Sequence, residues 1–494
     1  MIRESAEYVV EASGERVLVA DIVRMTSFDL YQNAIHYDIC NAMAARAHED
    51  PTLRKVLENI YALKSRRARA ASALSAYFSA RPARPRALHV DPGVRSLLRP
   101  SLVEGVEVLP WRGHEPQSVD ARHVLLLIAK AALHRMFRWF TRKRTPGGSV
   151  VRAWVEVTAK MYAAETREER VLIYPFALNF VRQLRFIGWC HRSSIDASLA
   201  GLPYRLGRIV AMWLKGVPRD LILAHAETDA ARDYAAELLR NPPQSLFTSD
   251  EFETASFVLY DPLIAAGVRV INTAHGVGNY CPHINYSEFR VLSESQATFY
   301  SQRNPAIEYT GLDVTHGRLA SLPPYRESLP KPPMLVLIHQ PFEDSRLDAE
   351  AAAQRRLDAT LHGVAAALSI GYGVKMHPNH RSSRLKGAPS KWRGEQIYDW
   401  SDLARFRPIF VTINSTAFFD VQGSAPVLVY EAPTFEPALY FPTPFSGVTL
   451  ANAEASVRAL LAPEAWARAA AAHAGETIGG SEVGASERDE ERSC

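Results

Sequence analysis

Three short polar clusters, each placed just after an apolar run, are where chemistry is most readily found in this 494-residue chain. The first is Ala274-His275-Gly276-Val277-Gly278, which follows the run 268–273. An imidazole at the end of a buried strand titrates near neutrality and can take a proton from a hydroxyl. Gly276 and Gly278 would let backbone come close to a ligand; a histidine bonded inside a turn explains the same letters. The second is Val374-Lys375-Met376-His377-Pro378-Asn379, where Pro378 stops a strand and fixes His377 at its end. His377 can donate to a phosphate oxygen, and Lys375 or Arg381 can offset charge beside it. The third is Asn414-Ser415-Thr416, between the run 408–413 and a helical pattern that begins near Phe418. Such residues cap helices, and a capped helix start also offers N–H groups to an anion. Plain capping and a phosphate cradle both fit. Glu431, closing the run 427–430, could bind ribose hydroxyls or simply face solvent.

The elements that must position these residues alternate. From about residue 170, apolar runs at 171–174, 221–224, 245–248, 268–273 and 290–292 read as buried strands, with helical patterns at 226–240 and 253–266. Alternation of this kind predicts a parallel sheet with crossover helices. A Pro-dense stretch, 321–333, reads as a semi-rigid connection. The alternation then restarts, with strands at 334–339, 373–376, 408–413 and 427–430 and helices at 348–369 and 418–422. The fold class expected is α/β: two Rossmann-like parallel-sheet domains facing a cleft, with an extra helical N-terminal region. The boundaries drawn are 1–165 for the mainly helical region, 166–322 for the first, acceptor-side domain, and 334–470 for the second, donor domain. Residues 475–494, rich in Gly, Ser and Glu, read as a disordered tail.

The N-terminal region carries a short β-like run at 16–23, helical patterns at 27–47 and 52–78, a Pro-rich linker at 81–86 and a strand candidate at 106–110. The run 124–140 is apolar but interrupted by Lys130, His134 and Arg138, which with Arg142 recur every four residues on one helix side. A core helix with a solvated basic face accounts for this. So does a helix lying on an anionic membrane surface through 124–144 with Trp139 and Phe140 inserted.

Composition narrows the function. A net charge of +4 with Arg and Lys dispersed argues against nucleic acid as a partner. Cys40, Cys190, Cys281 and Cys494 form no metal-type or redox pair, which fits a reducing compartment. No apolar run is long enough to span a bilayer and no secretory pattern opens the chain. The glycine-rich phosphate loop, the dinucleotide fingerprint, the zinc-protease helix motif, the nucleophile elbow and an Asp-x-Asp pair are all absent, so no metal or cofactor is expected.

The order of these pieces over residues 245–433 resembles the CDP-glycerol glycerophosphotransferases of teichoic-acid synthesis. More loosely, it resembles polysialyltransferases and other capsule enzymes of the two-domain GT-B type. The resemblance is carried by His275-Gly276, the segment 289–299 (FRVLSESQATF), a strand ending at Gly311, the opening MLVLIH of a new domain and the KMHP motif. It continues through Asp402-Leu403 and residues 412–420, which keep Thr412, Ser415, Thr416 and Asp420. Ile413 and Asn414 depart from an Asp-Tyr pair, Val-Gly follows the His-Gly, and an Arg-Asn-Asp group is missing after Gly311. The resemblance implies a nucleotide-activated sugar or polyol-phosphate donor in the second domain, its phosphates touched by His377, Ser415 and Thr416. It also implies His275 facing a polysaccharide or lipid-linked acceptor, and a cytoplasmic site at the inner face of the cell membrane. The departures favour a sugar donor over glycerol phosphate. Two alternatives remain at this point: a non-catalytic scaffold of a polysaccharide assembly complex, and a sugar-nucleotide epimerase or hydrolase of the same fold.

Overall fold

In the computed structural model the described residues are 7–25, 34–111, 124–129, 131–133, 148–153, 170–173, 180–193, 196–199, 204–274, 280–311, 331–340, 348–377, 392–415, 417–421, 424–431 and 445–472. Isolated positions 162, 276, 278, 342, 437 and 441 are described as well. Residues 312–330, which hold all but the last three positions of the Pro-dense stretch 321–333, and those beyond 472 lie outside them, as do Lys130, His134, Arg138 and Arg142.

The N-terminal unit packs helices α1 (Val19–Met25), α2 (Ala34–Ala47), α3 (Pro51–Lys64) and α4 (Arg66–Ser79) around a small sheet. That sheet, β1 (Tyr8–Val10), β2 (Arg16–Leu18), β3 (Ala87–His89) and β4 (Glu107–Val108), runs in the order β2-β1-β3-β4. Two caps set the helix boundaries. Asp50 Oδ1 accepts from Leu53 N at 2.8 Å ahead of Pro51, and Ser65 Oγ accepts from Ala68 N at 3.1 Å where α3 gives way to α4. Ala68, Ala70, Ala71 and Ala73 are buried, and side chains this small let neighbouring helices come close.

Two parallel sheets follow. The first contains β5 (Ser149–Ala153), β6 (Arg170–Ile173), β7 (Asp196–Leu199), β8 (Ser245–Thr248), β9 (Arg269–Thr273), β10 (Glu288–Val291) and β11 (Glu308–Gly311), in the order β11-β10-β9-β8-β5-β6-β7. The second contains β12 (Pro333–Ile338), β13 (Gly371–Lys375), β14 (Glu395–Ile397), β15 (Arg407–Thr412), β16 (Val427–Tyr430) and β17 (Ser446–Val448), in the order β14-β13-β12-β15-β16-β17. Every pairing within both is parallel. The central strands are buried along their length: Met334 to Ile338 and Val427 to Tyr430 are all buried, as strands covered on both faces must be. Each sheet runs outward from its first strand on one side, then returns and continues on the other, so both domains are Rossmann-like.

Several details differ from the sequence expectation; the β-like run 16–23, for one, is a strand only over Arg16–Leu18 and then enters the helix Val19–Met25. Ser149–Ala153, assigned above to the 1–165 region, is an inner strand of the first parallel sheet, between β8 and β6. Arg152 interrupts its apolar pattern, and that is why the run did not read as a strand. The run 221–224 is not a strand but part of a 20-residue helix, Arg219–Leu238. Ile222, Ala224 and Ala226 are buried in it with Leu221 and Leu223 packed alongside, so two faces of one helix imitate a continuous apolar run. Residues 124–129 and 131–133 are helical, with Val124 and Ala131 buried and Leu125 at 63% exposure.

Candidate functional site

The reversal of strand order in the second sheet falls between β12 and β15, the first and fourth strands of that domain. In open α/β sheets the crevice outside the carboxyl ends of the strands opens at such a point. Pairing of Ile338 with Lys375, Leu337 with Val411 and Thr412 with Val429 fixes what stands there. Carried two residues past the ends of β12, β13 and β15 and one past the end of β16, that register puts His377, Gln340, Asn414 and Glu431 in one row across four adjacent strands. His377, Gln340 and Asn414 are half-buried and Glu431 is exposed. One level below are Met376, His339 and Ile413.

Each member is held by its own local device. Gln354, from the helix Asp348–Ala367, accepts from Gln340 N at 2.8 Å and donates to Gln340 O at 3.0 Å, fixing the turn after β12. His339 is 3% exposed, donates its N–H to Lys375 O at 3.0 Å and meets the Trp392 ring edge-on at 4.8 Å. Lys375 is buried too. Its Nζ donates to Met376 O at 3.2 Å and Tyr398 O at 3.0 Å and lies 4.6 Å from the centre of the Trp400 ring. The ammonium thus ties the end of β13 to the segment that follows β14. Thr412 Oγ1 accepts from Ser415 N, and Ser415 Oγ accepts from Ala417 N, both at 3.2 Å. Ser415 is therefore the cap of the short helix Ala417–Val421. Asn414 Oδ1 is buried with no hydrogen-bond partner among the described residues. A buried carbonyl oxygen left unpaired is costly, and a donor arriving with a ligand would relieve it. Glu431 donates its N–H to Val448 O at 2.9 Å, and its carboxylate lies over Gly447, where a Cβ would stand 1.7 Å from Oε1. Gly447 is the clearance that lets Glu431 lie there.

In the first sheet, β9 leads into the loop bearing Gly276 and Gly278. Gln296, from the helix Glu294–Ser301, donates to Gly276 O at 2.7 Å and Gly278 O at 3.0 Å. A Cβ on Gly276 would stand 2.3 Å from the Tyr280 hydroxyl, whereas one on Gly278 would have 3.9 Å. Close approach is thus required at Gly276, by Tyr280. Tyr280 N donates in turn to the Tyr300 hydroxyl at 2.9 Å.

The reversal point of this sheet lies between β5 and β8, and a buried charge cluster occupies it. Arg152 of β5 donates to Asp250, to Glu253 and, at 3.1 Å, to the Tyr260 hydroxyl. Asp250 also accepts from Tyr260 and, at 3.0 Å, from Tyr286, while its N–H donates to Asn272 Oδ1 at 2.9 Å. Asn272 Nδ2 donates to Glu251 Oε2 at 3.3 Å. Arg152, Asp250, Glu251, Tyr260 and Tyr286 are each 0–1% exposed. Burial opposes the Arg152 charge, but Glu253, Tyr260 and Asp250 overcome that and hold its pKa well above the usual value. Glu253 is raised to about 8, chiefly by burial, with Arg152 opposing the rise and Asp250 adding to it. Burial likewise raises the Tyr260 and Tyr286 phenols.

Of the residues singled out in the sequence, His377, Asn414 and Glu431 share one row, Lys375 supports it, and Ser415 caps the helix beside it. Gly276 and Gly278 sit in the loop after β9. His275, Arg381 and Thr416 lie outside the described residues. His339 and Gln340 were not singled out, although His339 closes the run MLVLI just as His377 follows the next strand. The Asp250 cluster was missed as well. Its signal is the acidic stretch Asp250-Glu251-Phe252-Glu253 directly after a strand. Among the described residues no group of His, Cys, Asp and Glu is arranged to hold a metal ion.

No family model and no curated protein matches the chain. Among solved structures, the crystal structure of MurG from Acinetobacter baumannii is similar at a TM-score of 0.37 and 9% identity. The match covers 67% of this chain and 95% of that one.

Proposed function

We propose that the chain is a glycosyltransferase that takes a nucleotide-activated sugar at the carboxyl edge of the second sheet and passes the sugar to a cell-surface polysaccharide or lipid-linked acceptor. The observation that carries this reading is the row His377–Gln340–Asn414–Glu431 at the strand-order reversal of a Rossmann-like sheet. The row has polar side chains of complementary use. The His377 imidazole donates to a departing diphosphate, Asn414 pairs with the donor's polar groups, and Glu431 accepts from ribose hydroxyls. Lys375 contributes through the field of its buried ammonium and by holding the strand end. Arg381 and Thr416 add a cation and a hydroxyl from the adjoining segments.

In the transfer step the acceptor oxygen bonds to the anomeric carbon, the bond from that carbon to the phosphate oxygen breaks, and the acceptor proton passes to His275 as general base. Negative charge gathers on the leaving phosphate, where fixed donors stabilise it without a metal ion. No helix among the described residues is long and apolar enough to cross a membrane. The segment 124–144 would bring the enzyme to the inner face of the cell membrane as a peripheral protein.

The test is a nucleotide-release screen over a panel of activated sugars, with and without membrane-derived acceptor, beside calorimetry with CMP, CDP and UDP. Acceptor-dependent release from one donor and preference for one base are expected. His377→Ala should lose most of the turnover and keep its fold. Near-wild-type transfer by that variant would refute the assignment.

A further inference from the structure

The N-terminal unit does more than pack on the first parallel sheet. Asn59, on α3, is 0% exposed, and its amide is fully used. Nδ2 donates to Thr254 O at 2.9 Å and to His283 O at 2.8 Å, and Oδ1 accepts from His283 N at 3.0 Å. Thr254 ends the segment that follows β8 and carries Asp250, Glu251 and Glu253; His283 lies in the segment 274–287 that joins β9 to β10 and carries Gly276 and Gly278. One side chain from another part of the chain therefore joins the two loops at the carboxyl edge of the first sheet. Glu58, its neighbour, places Oε2 2.8 Å from His283 Nε2 in a pair that is 11% and 19% exposed.

A second contact reaches the same loop from its other side. Tyr37, on α2, packs its ring 4.8 Å from that of Phe299, and the Arg303 guanidinium lies 5.2 Å from the centre of the first ring and 4.3 Å from that of the second. Phe299 is on the helix whose Gln296 holds the carbonyls of Gly276 and Gly278. The loop is thus gripped between two helices of the N-terminal unit and a helix that the same unit presses on. Surface packing alone needs no buried amide matched donor for donor to backbone, and burying one is favourable only when every group is paired.

We propose that the N-terminal unit is a built-in brace of the acceptor-side loop, with Asn59 as its positioning residue. In the transferase reading, on which this rests for its kinetic consequence, the brace sets the geometry of residues 274–283 without touching the donor.

The experiment compares Asn59→Ala and Asn59→Asp with wild type by hydrogen exchange and by acceptor-dependent nucleotide release. Asn59→Asp keeps the acceptor for His283 N and removes both donors. Both variants should exchange at least tenfold faster in 249–254 and 274–283, with β12 to β16 unchanged. Turnover should fall at least tenfold while the KM for donor stays within twofold. Should Asn59→Ala fail to fold, Glu58→Gln, which leaves the amide in place, should give a smaller rise confined to 280–284. Unchanged exchange in 274–283, or a donor KM that rises along with the loss of turnover, overturns the brace. If the wild type releases no nucleotide from any donor, the transferase reading falls, and the exchange data still decide whether the brace exists.

Discussion

The two parallel sheets share one strand order and use its reversal point in opposite ways. In the first, Arg152, Asp250, Tyr260 and Tyr286 fill it with side chains that solvent does not reach, every one bonded to another. In the second, three half-buried polar side chains and the exposed Glu431 line it. The topology is the same, so the difference lies in the residues after the strands: an acidic turn meeting an arginine from the next strand in one case, His377, Gln340, Asn414 and an exposed Glu431 in the other. A fold offers a place for a ligand; whether the place is open is decided by side chains. A buried ion cluster is a poor source of net stability, because desolvation consumes much of its Coulomb gain. Here it fills the reversal point with buried, mutually bonded side chains.

The hardest blow to this contrast should be Arg152→Met. It leaves Asp250 buried without its cation, so chemical denaturation should show a loss of about 3–5 kcal/mol. In the transferase reading the nucleotide binds at the other sheet, so its affinity should hold within twofold. A loss under about 1 kcal/mol would mean the cluster is hydrated and the first crevice open.

Next in size is the pH dependence of the same cluster. Glu253 is raised from an ordinary value of 4.5 to about 8, burial being the largest cause, so between those limits the folded chain binds a proton that the unfolded chain has released. Stability from this group is whole below pH 4.5 and drains away as pH rises through 8, in total on the order of a few kcal/mol. Denaturation midpoints from pH 5 to 9 should fall in wild type and flatten in Glu253→Gln. Equal slopes in the two proteins would show that Glu253 is ionised throughout.

How much of this was legible in the sequence follows from whether the signal is local. Four of the six strands of the second sheet, β12, β13, β15 and β16, two of its helices, and His377, Asn414 and Glu431 at its carboxyl edge were readable, because each apolar run is short, ends in a polar cluster and is set off by glycine or proline; the three-residue strands β14 and β17 and Gln340 were not. β5 was not, since Arg152 breaks its pattern and only its remote partners, Asp250 and Glu253, explain an arginine there. The run 221–224 failed for the opposite reason: helical residues buried on two faces look, over four positions, like a strand. Asn59 was invisible, because its partners lie 195 and 224 residues away. Lys375 was found, but the local pattern could not tell that Met376, Tyr398 and Trp400 engage its ammonium.

On the open side of the comparison, Asn414→Ala removes the unpaired amide from the row. Calorimetry should then show nucleotide affinity about tenfold weaker, or about 1.4 kcal/mol, with one nucleotide per chain in both proteins. A second nucleotide per chain would place a ligand at the first crevice and end the contrast. Unchanged affinity would move the donor away from Asn414.

The smallest expected effect is the most selective. Gly447→Ala puts a methyl where the Glu431 carboxylate now lies, 1.7 Å from Oε1. The colliding atom is the free end of a flexible, exposed side chain, so the backbone need not yield and stability should change by less than about 0.5 kcal/mol. The carboxylate must swing aside, however. If it accepts from ribose hydroxyls, the variant should bind its preferred ribonucleotide about threefold more weakly, or about 0.7 kcal/mol, and bind the 2′-deoxy analogue as wild type does. The hydroxyl at the 2′ position is what the two ligands do not share, and a carboxylate can only accept from it. Equal weakening of both would assign the loss to a general disturbance of β17. Weakening of neither would leave Glu431 as a solvated residue, with the row reduced to His377, Gln340 and Asn414.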